Sequence, residues 1–280
     1  MLHIRKEQTD KFGPQAAKTF EPAPTPTFRM LHIRKEQYRE LGKISLKRFE
    51  DEMVAHIKKF FPKYYKVYGE ALVRKVIQYG VERAEKHGFE TKRDTPLFID
   101  LMLLLGSHFD EDIQYPWVAK VLDDKFITKP IARADELYDT AIRFLDETAG
   151  KKNEYFVGAL LRIREISLED VSNKPSPDVT SRLAGLLRDI WPQKVNKLGR
   201  YITDQLIELA IQFAQKYNIT SEQGLTVISV LMFMLGSGFD SDPQFPWVAR
   251  VLNDETSTSP IEKTNQLYKE ATAFMGKWLV

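Results

Sequence analysis

The sequence predicts an all-α fold made of two tandem copies of a domain of about five helices. Three observations carry this. The stretch LMLLLGSHFDEDIQYPWVAKVL at 101–122 returns as LMFMLGSGFDSDPQFPWVARVL at 231–252, with 15 of 22 positions identical. An offset of 130 holds without a gap from Leu31 and Leu161 to Tyr138 and Tyr268, so one unit is written twice. Apolar residues recur at helical spacing in both copies, and no alternating run is long enough for a sheet. The expected organisation is 1–29 as a leading peptide and linker, 30–150 as the first helical copy and 151–280 as the second.

The elements follow in order. Phe49, Met53, Ile57 and Phe60 draw a stripe down a first helix, and Val179, Leu183, Leu187 and Ile190 answer in copy two. Pro62 and Pro192 end it, because proline cannot continue a helix from its interior. For the second helix the expected buried face is Leu72, Val76, Tyr79 and Val81, matched by Ile202, Leu206, Leu209 and Ile211. It stops at Gly88 and Asn218, residues that tolerate a left-handed cap. Thr91 and Ser221 are N-caps for a third helix, apolar nearly all round from Leu97 to Leu105 and from Val227 to Leu235, hence the buried centre of each copy. Short helices open at Pro116 and Pro246, and last ones after Pro130 and Pro260. Tyr155 to Ile163 is expected as a short extended piece.

Composition excludes several functional classes. The 41 basic and 39 acidic side chains nearly cancel, unlike the basic footprint of a dedicated nucleic-acid binder. The chain has no cysteine, so disulfides, thiolate nucleophiles and cysteine-ligated zinc are absent. No apolar run approaches the roughly 20 residues of a membrane span, and no signal-peptide core stands at the start; the expectation is a cytoplasmic protein without a membrane partner.

The most specific string is G-S-x-F-D-x-D-x-Q-[YF]-P-W. It comprises Gly106, Phe109, Asp110, Asp112, Pro116 and Trp117 in copy one, and Gly236, Phe239, Asp240, Asp242, Pro246 and Trp247 in copy two. Paired carboxylates could do acid–base work or hold a divalent cation. Turn chemistry explains the same residues: glycine ends the buried helix, the phenylalanines and tryptophans plug the core, and the aspartates cap or brace the turn. That structural reading is preferred, with no catalytic residue, metal ligand or cofactor assigned. Histidines 3, 32, 56, 87 and 108 form no metal-binding pattern and are expected at surfaces or helix ends. KKFFPKYYKVY at 58–68 interleaves lysine with aromatics as single-strand nucleic-acid binders do, but its partner RDIWPQKVNKL loses most of the charge, so an ordinary amphipathic helix end is preferred.

Residues 1–8, MLHIRKEQ, are spelled again at 30–37. Leu31, Ile33 and Arg34, and in copy two Leu161, Ile163 and Arg164, are read as an extended or helix-entering segment docking on its own copy. Leu2, Ile4 and Arg5 then present the same side chains on a leash carrying Pro14, Pro22, Pro24 and Pro26, with a reach of up to roughly 65 Å. Such a segment offers a route to a homo-oligomer. A recent duplication, a start at Met30 or a cloning remnant explains the doubling equally simply.

Residues 30–122 resemble a set of small bacterial proteins that open with M-x-I-R-x-E-Q, continue into a helix bearing F-E-D and carry G-x-x-F-D-x-D…P-W. Here these are Met30, Ile33, Arg34, Glu36, Gln37, Phe49, Glu50, Asp51, Gly106, Phe109, Asp110, Asp112, Pro116 and Trp117. Such proteins are similar to accessory components encoded beside effector or spike genes of type VI secretion and related contractile injection systems. The resemblance implies a partner-binding role and nothing finer; the reading adopted on it is an adaptor, chaperone or immunity-type protein whose protein partner is a secreted effector or spike component. It supplies no catalytic residue. The second copy lacks F-E-D. An enzyme or metal protein using the aspartate pairs, and a helical nucleic-acid binder, are the alternatives.

Overall fold

The computed structural model describes residues 35–172, 178–254 and 259–279, and every regular element among them is a helix. In copy one these are α1 (Lys35–Phe60), α2 (Pro62–Lys86), α3 (Asp94–Leu105), α4 (Pro116–Leu122) and α5 (Pro130–Thr148). Copy two holds α6 (Glu154–Arg164), α7 (Leu168–Ser172), α8 (Val179–Ile190), α9 (Pro192–Lys216), α10 (Glu222–Leu235), α11 (Pro246–Leu252) and α12 (Pro260–Gly276). Contacts divide the chain into Met1–Lys43, described from Lys35 as the start of α1, and a compact unit Ile44–Val280 that contains the rest of α1 and every later helix. Leu2, Ile4, Arg5, Leu31, Ile33 and Arg34 lie outside the described residues.

Within the larger unit each copy has its own hydrophobic cluster, one running from Met53 to Phe144 and the other from Ala149 to Met275. The matched prolines occupy the first turns of α2, α4 and α5 and of α9, α11 and α12, where a missing amide donor loses no helical bond. Copy one runs α1 without a break where copy two, which carries Pro175 and Pro177, has the separate α7 and α8.

The expected caps form, each in its own way. Gly88 and Asn218 follow α2 and α9 with φ of 75° and 58°. Ser221 Oγ accepts from the Gly224 amide at 3.0 Å. Thr91 works as half of a capping box: its Oγ accepts from Arg93 and Asp94 amides, while Asp94 Oδ1 accepts from the Thr91 amide at 2.7 Å. α3 and α10 are buried around nearly their whole circumference.

Four expectations need correction. Of the face predicted for α2 only Val76 is fully buried, and of that for α9 only Leu206; the true stripes are Val73, Val76, Ile77, Gly80 and Ala84, and Thr203, Leu206, Ile207, Ala210 and Ala214. The helical path breaks at Gly69 and Gly199, before both predicted faces; within the helix that follows, steps of four, three and two leave the 3.6-residue period, which the buried residues keep. Tyr155 to Ile163 is not extended but belongs to α6, whose buried side is Ala159, Leu160 and Ile163. Trp117 and Trp247 are half-buried, with rings against Tyr115, Phe144 and Phe274, whereas Phe109 and Phe239 are the fully buried plugs.

The docking segment of copy two is also corrected. Ile163 is buried as expected, but Leu161 and Arg164 face solvent; Leu160 supplies the second anchor, and Arg162 Nη1 donates to Ile190 O at 2.8 Å. In a helix the anchors fall three apart rather than two. Tyr268 closes the segment's end, its hydroxyl donating to Ile166 O at 2.7 Å.

Candidate functional site: the paired turns between the copies

After α3 and α10 the chain turns at Gly106 and Gly236, whose φ angles of 101° and 103° favour glycine. Space demands it as well. A Cβ on Gly106 would lie 3.0 Å from Leu235 O, and one on Gly236 would lie 3.0 Å from Asp112 Oδ2. Each turn therefore presses its backbone against the other copy.

The second aspartate of each motif spans that contact. Asp112 Oδ1 accepts from the Gln114 amide at 2.9 Å, bracing its own turn, while Oδ2 accepts from the Ser237 amide at 2.8 Å. Asp242 repeats the pattern: Oδ1 accepts from Gln244 N at 2.8 Å and from Ser107 Oγ at 2.6 Å, and Oδ2 from Ser107 N at 2.7 Å. The glutamine amides cross too, Gln114 Nε2 donating to Met232 O at 3.2 Å and Gln244 Nε2 to Met102 O at 2.9 Å. Residue i of one copy meets j of the other and the reverse also holds, the pattern of a two-fold interface. Burial pushes both carboxyls above the usual aspartate range, although the amide and hydroxyl donors pull the other way.

The first aspartate stays in its own copy. Asp110 is held by Arg83, with Nη2 at 2.6 Å, and by His87 Nε2 at 2.7 Å. Burial acts to raise its pKa, but these two partners outweigh it and hold the carboxyl below the ordinary range. Asp240 accepts from the Tyr217 hydroxyl at 3.1 Å and has Lys216 Nζ at 3.7 Å. The sequence expectation that the aspartates brace a turn covers half of this geometry. The bridge between copies went unread, although the polar Gln114 and Gln244, kept identical inside an otherwise apolar stretch, were its signal.

Around the turns the ends of the copies embrace. Tyr64 and Tyr68 of α2 meet Trp278 with ring centroids 4.7 and 6.1 Å apart, and Tyr68 stacks on Phe274 at 6.2 Å. On the matching side Trp191 Nε1 donates to Thr148 O at 2.6 Å. Among the aromatics of 58–68, then, Phe61, Tyr64 and Tyr68 pack inside the protein. Beside Trp191 the ammonium of Lys194 is fully buried. It donates to Phe233 O and lies 5.0 and 4.7 Å from the Trp191 and Phe233 ring centroids. Burial pulls it down to about 8, against the opposing charge of Asp112.

The described histidines are all placed in contacts. His56 Nε2 shares the two oxygens of buried Asp100 at 3.0 Å each, His87 bonds Asp110, and His108 lies between Tyr79 and Ser241, 3.3 Å from each hydroxyl. Among the described residues no group of three or more His, Cys, Asp or Glu is placed to hold a metal ion, and no helix is long and apolar enough to cross a membrane. Comparison with protein-family models, with curated proteins and with solved structures gives no match to this chain.

Two outcomes test this geometry. Asp112→Ala and Asp242→Ala should each lower stability by about 1 to 3 kcal/mol, the scale of orphaned buried donors. Because both act at one contact, the double variant should cost less than the sum in urea titrations; strict additivity would contradict a shared lock. Lys194 gives a pH signature. Between pH 8 and about 10 the unfolded lysine keeps a proton that the folded one releases, so stability rises with pH by up to about 1.4 kcal/mol per unit. The Tyr68 and Tyr115 hydroxyls, held well above their usual value by burial, reverse the trend above pH 10. Lys194→Met should flatten the profile between pH 8 and 9.5, as read by unfolding midpoints.

Proposed function

We propose that the chain is a non-catalytic helical scaffold that binds a protein, as an adaptor or chaperone for a secreted effector or spike component of a contractile injection system. The observation that carries the binding role is α6, which is apolar on two sides. Its inner side buries Leu160 and Ile163, yet Val157 and Leu161, one turn apart, are 37% and 47% exposed. Apolar anchors one turn apart on a helix suit a groove or a facing helix on another protein.

The motif carboxylates support the non-catalytic half of the reading. Asp112 and Asp242 join the copies, Asp110 is closed by Arg83 and His87, and Asp240 is held by Tyr217. A general acid or base needs an atom that substrate can reach, and the interface covers the two bridging carboxylates. The resemblance of residues 30–122 to accessory proteins of injection systems supports the choice of partner.

The test is co-purification of the full chain with the effector and spike proteins of a host that encodes it, beside the Leu161→Asp variant. A one-to-one complex with one such protein, weakened at least tenfold by Leu161→Asp while the melting temperature stays within about 2 °C, is expected. Binding unaffected by Leu161→Asp would remove α6 from the account.

A further inference from the structure

The two copies differ at the places where their shared face is tightest, and the differences are complementary. Positions 108 and 238 are equivalent and meet across the contact. A Cβ on Gly238 would lie 2.7 Å from Cγ, 2.9 Å from Cδ2 and 3.0 Å from Cβ of His108, so only one of the two positions has room for a side chain. The obstacle includes the root of the histidine, which rotation cannot move aside. Two copies of the first kind would bring histidine against histidine.

A second exchange of size lies at the embracing ends. Trp191 reaches the end of α5 at Thr148, while the residue equivalent to Thr148 is Trp278, packed against Tyr64 and Tyr68. The large residue sits on α9's entry on one side and on α12's exit on the other. Two copies of the second kind would set Trp191 and the already enclosed Lys194 against Trp278. Two copies of the first kind would set Phe61 and Tyr64 against Thr148 and leave a gap.

A polar asymmetry agrees. The Tyr68 hydroxyl donates to Gln244 Oε1 at 3.0 Å, whereas the residue equivalent to Tyr68 is Leu198, and buried Gln114 Oε1 has no hydrogen-bond partner.

We infer that the face between the copies is a selective pairing surface, shaped so that each copy accepts the unlike copy and refuses its own kind. The partner that fits this face on either copy is therefore the other half of this chain, from the same molecule or from a second one. An assembly built through it from two molecules exchanges halves rather than pairing like with like. The inference does not rest on the α6 reading above.

The experiment compares three full-length variants by thermal unfolding: His108→Gly, Gly238→His, and the reciprocal swap carrying both. Gly238 has no left-handed φ, so histidine is tolerated there except for the clash. Gly238→His alone should lower the melting temperature by about 3 to 10 °C or prevent folding, from overpacking against His108. The swap should recover at least half of that loss, because it restores one side chain and one gap. His108→Gly alone should shift the midpoint less than Gly238→His does. A Gly238→His protein as stable as the parent, or a swap no better than Gly238→His alone, overturns the inference.

Discussion

Two carboxylates, each bonded to the backbone of the opposite copy, hold the arrangement on which the rest of this structure depends. Asp112 and Asp242 are buried where water cannot replace a lost donor, so the Ser237 and Ser107 amides must face them. That requirement fixes the rest. The glycines must stay bare for the backbones to approach, the glutamines must cross to the last turns of α10 and α3, and the aromatic ends must close around the sides. A buried carboxyl left without its donors costs far more than an exposed one, so any arrangement that withdraws the Ser237 or Ser107 amide is disfavoured. Here the arrangement specified is a pair.

The turn-bracing part of the repeated motif was legible in the sequence, because its residue types already implied a turn. Helix positions were legible because proline, glycine and capping residues mark the ends locally, through bonds made within a few residues. The faces of α2 and α9 were not, because apolar residues lie on several sides of both helices, and nothing local tells the half-buried Leu72 and Leu209 from the buried Val73 and Ile207. The pairing itself was hidden for a different reason. Ser107 and Asp242 are 135 residues apart, and no local rule connects a carboxylate to an amide at that distance. What the sequence did contain was Gln114 and Gln244, unchanged in an apolar stretch, and the exchanged sizes His108 with Gly238 and Thr148 with Trp278.

The copies also differ at places inside each copy. Arg83, His87 and His108 of copy one are Phe213, Tyr217 and Gly238 in copy two, so polar contacts around Asp110 give way to rings around Asp240. Likewise His56 and Asp100 stand where copy two has Leu186 and Val230. Copy one has more hydrogen bonds at these places and copy two more packed side chains, although Asp240 keeps its bond from the Tyr217 hydroxyl. Outside the pair, α6 carries the exposed Val157 and Leu161 on a side away from its buried Leu160 and Ile163.

The central claim is that the turns open only when the pair comes apart, and amide hydrogen exchange reports this residue by residue. The Ser107 and Ser237 amides lie in turns, where exchange is ordinarily fast, yet each donates to a buried carboxylate of the opposite copy. The account predicts that both exchange as slowly as the most protected amides of α3 and α10. Rapid exchange at Ser107 and Ser237 while α3 and α10 stay protected would contradict it.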